Sequence, residues 1–146
     1  MFKVKEGKVA KILIIDDDAG MRRTVSRILA TAGHEVIEAS DGVEGVDLFR
    51  KNQPDVVVTD IIMPKKEGIE TILDLRREHP STLILVISGG ATVPTESLVP
   101  LDYLGMAKAL GADGVLAKPF RAADLLQEID NLLGRGTGGI GGAEVQ

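Results

Sequence analysis

An α/β domain built on a five-stranded parallel sheet is what this sequence predicts, and three observations predict it. Short apolar runs recur along the chain, among them Ile12-Leu13-Ile14-Ile15 and Leu83-Ile84-Leu85-Val86-Ile87. Such runs suit strands buried on both faces and are short for core helices. Between them lie stretches whose apolar residues recur at helical spacing. Glycine or proline punctuates most of the changes from one pattern to the other. Strand and helix therefore alternate, and right-handed crossovers place helices on both faces of a sheet whose strand C-termini share one edge.

Residues 11–15 form the first strand, and Met21, Val25, Ile28, Leu29 and Ala32 mark the first helix, closed by Gly33. Residues 35–38 are a short second strand. Ser40-Asp41 starts the second helix, with Asp41 and Glu44 spaced as a capping box. Residues 56–59 form the third strand after Pro54, and Ile69, Ile72, Leu73 and Arg76 mark a third helix closed by Pro80. Residues 82–87 are the fourth strand. Tyr103, Met106, Ala107 and Leu110 suggest a fourth helix ending at Gly111, residues 114–117 a fifth strand, and Leu125, Leu126, Ile129, Leu132 and Leu133 a last helix. The expected architecture is a flavodoxin-like (βα)5 three-layer sandwich of strand order 2-1-3-4-5. Two segments depart from it: residues 89–101, long for a βα connection and carrying Pro94 and Pro100, and the glycine-rich residues 134–146, expected to be a flexible tail.

Composition narrows the function. With 44% hydrophobic and 27% charged residues the chain is ordinary globular material, and its aromatic content of 3% demands an aliphatic core. The net charge of −5 and the absence of a basic stripe argue against a nucleic-acid grip. The pairs Arg22-Arg23, Lys65-Lys66 and Arg76-Arg77 read as solvated faces or turns. No cysteine is present, which excludes disulfides and thiolate metal sites. No apolar run approaches the roughly 18 residues of a membrane span, and the first residues lack a signal-peptide core, so the expectation is a cytoplasmic protein with no membrane partner. His34 and His79 stand alone and read as exposed.

The chemistry lies at the strand ends. Asp16-Asp17-Asp18 follow the first strand, Asp60 the third, Ser88 the fourth and Lys118-Pro119 the fifth. In a parallel sheet these ends meet in one patch. Gathered carboxylates raise one another's pKa unless a cation intervenes, and hard oxygen ligands suit Mg²⁺. A lysine and a hydroxyl add an electrostatic clamp and a donor for a phosphoryl group. Taken singly each residue has a bland reading: Asp17 or Asp18 as a helix cap, Asp60 as a strand-end acid, Lys118 as a solvated lysine. All of them together at one edge require several independent coincidences.

With Ile15-Asp16-Asp17, Asp60-Ile61-Ile62-Met63-Pro64, Ser88 and Lys118-Pro119-Phe120 in order, residues 9–133 resemble the receiver domain of response regulators, and Met21-Arg22-Arg23 resembles chemotaxis-type receivers. Residues 1–8 are then an N-terminal extension. The resemblance implies a two-component switch in which Asp60 accepts a phosphoryl group from a sensor histidine kinase or phosphotransfer protein. It implies Mg²⁺ held by Asp16, Asp17, Asp60 and the backbone carbonyl of Ile62. It gives Lys118 the phosphoryl oxygens, a cis bond to Pro119, and Ser88 the role of turning toward the phosphate. Such a domain is no enzyme beyond its own phosphoryl transfer and slow autodephosphorylation, and it signals to a protein partner that the sequence does not name.

Two positions depart from the family's pattern. Val115 stands where the family has an aromatic switch residue, so residues 89–101 are the expected carrier of the rearrangement. Ile62, two residues after the acceptor, cannot orient a water, so the acyl phosphate is expected to be long-lived. Two other functions are open to the same residues. Asp16-Asp17-Asp18 contains the Asp-x-Asp of haloacid-dehalogenase-type phosphatases, although the chain is short for that family and Gly20 does not fit its motif. A purely structural interaction module is the other.

Overall fold

The computed structural model describes residues 9–60, 67–88 and 111–144. Five parallel strands run β1 (Lys11–Ile15), β2 (Glu35–Ala39), β3 (Val56–Asp60), β4 (Leu83–Ser88) and β5 (Gly114–Ala117). Their order in the sheet is β2-β1-β3-β4-β5, the flavodoxin-like order the alternation predicts. The helices are α1 (Ala19–Thr31), α2 (Gly42–Asn52), α3 (Glu67–Glu78) and α4 (Ala122–Glu144). The helix expected near residues 103–110 and the connection at 89–101 lie outside the described residues.

The continuous apolar runs have their physical cause in the two faces of the sheet. Ile12, Ile14, Val56, Val58, Leu85 and Ile87 face one layer and pack with Val25 and Leu29 of α1 and Leu125, Ile129 and Leu132 of α4. Leu13, Ile15, Val57, Ile84 and Val86 face the other and pack with Phe49 of α2 and Ile72 and Leu75 of α3. Neighbouring residues of one strand thus feed opposite cores, so both parities must be apolar.

Local chemistry sets the helix starts. Asp18 is the N-cap of α1 and accepts from the amides of Gly20 and Met21 at 2.9 and 3.2 Å. Asp41 caps α2 by accepting from Glu44 N–H at 2.8 Å, while the Glu44 carboxylate accepts from the Ser40 amide at 2.7 Å. This is the reciprocal cap the Asp41/Glu44 spacing predicts, shifted by one residue on the return bond.

Three expectations need correction. The helix α4 continues to Glu144, past the Gly134 at which a flexible tail was expected. Glycine weakens a helix by about 1 kcal/mol relative to alanine, but that stretch contains no proline to stop it. His34 is buried, 8% exposed, and its Nδ1 accepts from the Ala10 amide at 3.1 Å. His79 is half-buried and packs its ring against Phe49 in a tilted arrangement, with centroids 4.3 Å apart and the planes at 41°.

Candidate functional site

β1, β3 and β5 deliver Asp16, Asp60 and Lys118 to the same edge of the sheet. β1 and β3 are hydrogen-bonded neighbours, so the two acids end adjacent strands. β5 is separated from β3 by β4, about 10 Å at ordinary strand spacing, and only a long side chain crosses that gap. Lys118 does so: its Nζ lies 3.1 Å from Asp60 Oδ2. The peptide bond from Lys118 to Pro119 is cis, as the resemblance implies.

The acids differ in their surroundings. Asp60 is 6% exposed and Asp16 3% exposed, whereas Asp17 is exposed to solvent. Burial above all pushes the Asp16 carboxyl from its ordinary 3.8 up to about 6, and the negative charges of Asp60 and Asp17 push the same way. The Asp18 amide, donating to Asp16 Oδ1 at 2.9 Å, and the Lys118 ammonium pull against them. The Asp18 side chain, by contrast, caps α1. Arg22 fixes the turn beneath the acids: it donates to the Asp16 carbonyl at 2.8 Å and pairs with Glu38 at 3.1 Å. Its place in a run of two arginines suggests a solvated face instead, because an acceptor one strand away leaves no mark on local sequence.

Ser88 ends β4 and pairs with Ala117 through the backbone; its side chain, and Ile62, lie outside the described residues. Among the described residues no three His, Cys, Asp or Glu side chains form a metal cage. The donor set still fits a hard divalent cation of the kind that keeps several waters and needs only one or two carboxylates. Asp16 and Asp60 are both buried, and the Asp60 charge adds to the burial that disfavours a charged Asp16, a state that a cation relieves. A cavity of about 530 Å³ lies at the opposite, N-terminal edge of the strands, between Phe49, Pro54, His79, Pro80 and Leu133, away from these acids.

Residues 12–130 match the family described as the response regulator receiver domain. The chain belongs to that family. A response regulator MprA from Mycobacterium sp. (strain KMS) is 38% identical over 125 residues, which are 86% of this chain and 51% of that protein. This chain thus spans about half the length of the curated relatives it matches. A receiver domain protein from Clostridium thermocellum is 32% identical and superposes with a TM-score of 0.77 over 88% of this chain and 98% of its own. The Vibrio cholerae chemotaxis protein CheY4 is 33% identical, with a TM-score of 0.72 over 86% of this chain and 99% of its own. As a receiver domain of the two-component type, this chain is of the kind that works generally as a phosphorylation-controlled switch. No helix among its described residues is long and apolar enough to cross a membrane.

Val115 falls where the sequence places it, paired with Val86 on β4 and packed against the α2–α3 face of the core. The residues missed by sequence reasoning are Arg22, Arg76 and Asp113. Their acceptors and donors lie on other elements, and only the assembled fold brings them together.

Proposed function

We propose that Asp60 is a phosphoacceptor, taking a phosphoryl group from a histidine kinase or phosphotransfer protein and releasing it slowly. One observation carries the reading: a buried carboxylate at the end of β3 is held 3.1 Å from a lysine ammonium, with a second buried carboxylate beside it. An Asp60 oxygen bonds to phosphorus as the donor's nitrogen–phosphorus bond breaks, and the leaving imidazole takes its proton from solvent. A carboxylate nucleophile needs no general base. The Lys118 ammonium then leaves the carboxylate for the incoming phosphoryl oxygens, supplying positive charge where negative charge gathers.

Mg²⁺ is the cofactor this donor set suits, held by Asp16, Asp17, Asp60 and the carbonyl of Ile62; bound there, it neutralises the phosphoryl group against the anionic nucleophile. Ser88 is assigned the hydrogen bond to the phosphoryl group once it is in place. The output is a conformational change read by a protein partner. The charge of −5 and the lack of a basic stripe support a partner other than nucleic acid.

Incubation with acetyl phosphate and Mg²⁺, followed by intact mass, tests the reading. One phosphate adduct is expected on the native chain and none on Asp60→Asn. An adduct of equal yield on the variant would overturn the assignment.

A further inference from the structure

β5 presents a problem of register. It has four residues, lies at the edge of the sheet, and reads Gly-Val-Leu-Ala with Val115 and Leu116 both half-buried. A strand with apolar residues on both faces is poorly held against a slip, because burial hardly changes when the faces exchange. Yet one residue of slip moves the chain by about 3.3 Å and turns each side chain to the other face. Lys118 follows the last residue of this strand, so its contact with Asp60 depends on the register.

The residue before β5 answers the problem. Asp113 N–H donates to the Ile84 carbonyl at 2.8 Å, and Asp113 Oδ2 accepts from the Ile84 amide at 2.8 Å. Asp113 is thereby pinned to one residue of β4, in line with the pairing of Leu85 and Gly114 that follows. The same Oδ2 is held by Arg76 Nη2 at 2.8 Å, and Nη2 also donates to the Gly111 carbonyl. Nη1 donates to the carbonyls of Pro80 and Thr82 at 2.7 Å each. One guanidinium at the end of α3 thus fastens the approach to β4 and the approach to β5 together. Both side chains are largely covered, at 24% and 32% exposed. Only a planar fork serves two such sets of acceptors at once.

We propose that Arg76 and Asp113 are positioning residues for phosphoryl transfer, setting the register of β5 on β4 and so holding Lys118 on Asp60. The proposal rests on the role given to Lys118 above. It concerns the opposite edge of the sheet from the reacting atoms, and neither residue touches them.

The test is the rate of phosphate-adduct formation from acetyl phosphate with Mg²⁺, read with and without Lys118. Asp113→Ala is expected to slow the native chain about tenfold but to change a Lys118→Ala chain less than about twofold, since residues acting through one group are not additive. Asp113→Asn keeps an acceptor for the Ile84 amide and should restore most of the rate. Arg76→Lys, which cannot fork, should resemble Asp113→Ala. Equal slowing in both backgrounds, or no slowing, overturns the proposal. Cross-strand nuclear Overhauser contacts of Ile87 with Leu116, measured without phosphate, decide the register separately. If they persist unchanged in Asp113→Ala the latch is refuted, whereas a native chain that takes no phosphate refutes only the role of Asp60.

Discussion

Lys118 and Asp60 meet at 3.1 Å across 58 residues of sequence, with the carboxylate almost wholly buried and the ammonium partly so. A lysine at the surface of a helix makes many such pairs for little gain. This one spans an intervening strand to reach a buried acid, and its removal takes a positive charge away from that acid.

Lys118→Met is therefore expected to lower stability in urea unfolding near neutral pH by about 1–3 kcal/mol, at the low end for a buried pair because the ammonium is partly solvated. Adduct formation should fall by about a hundredfold with the loss of the clamp on transferring charge. Unchanged stability with unchanged adduct formation would mean the pair is incidental.

Asp16 supplies a prediction in pH. Its folded pKa of about 6 lies above the ordinary 3.8, so between those values the folded chain binds more protons than the unfolded one. Stability tied to this group then falls as pH rises through that window, and the cost is complete above it. Asp16→Asn should be more stable than the native chain near pH 7 by about 1–2 kcal/mol, and the difference should vanish near pH 4. Added Mg²⁺ should raise the melting temperature of the native chain more than that of the variant. A gain that is the same at both pH values would show that burial of the charge is not its cause.

Strands β1 and β3 were legible because both of their faces are buried, which leaves a run of apolar residues that no other short element requires. The placing of Asp16, Asp60 and Lys118 on one edge followed from topology alone, since a parallel sheet puts all strand ends together. The reciprocal cap at Ser40, Asp41 and Glu44 was legible because its partners are only three or four residues apart. His34 and Arg76 were not: the first meets Ala10 and the second meets Gly111 and Asp113, contacts that exist only after the sheet is assembled. The helical continuation beyond Leu133 runs against the glycine content that predicts a flexible tail.

Gly45 tests the packing that carries Asp16. A Cβ there would stand 2.5 Å from Ile15 Cδ1 and 2.8 Å from Cγ1, and Ile15 is fully buried. Gly45→Ala should destabilise by about 1–2 kcal/mol net, because overpacking outweighs the roughly 1 kcal/mol gained in helix propensity. Adding Ile15→Val removes the nearest atom and should recover part of the loss in chemical denaturation. A stabilised Gly45→Ala chain would show that α2 can shift away from β1 at no cost.

Ile62 bears on the lifetime of the phosphorylated state through side-chain type alone. An aliphatic group cannot orient an attacking water, so Ile62→Asn should shorten the half-life of the adduct by several-fold, followed by intact mass after donor removal. Equal decay of the two proteins would assign the lifetime to other groups.

The central claim is that Asp60 carries the phosphate, and borohydride reduction of the freshly formed adduct tests it most directly. An aspartyl phosphate is reduced to homoserine, which peptide mass spectrometry locates along the chain. Homoserine at position 60 alone, dependent on Mg²⁺ during phosphorylation, is the predicted result. Homoserine at position 16 or 17, or a phosphate that survives reduction on another residue type, would contradict it.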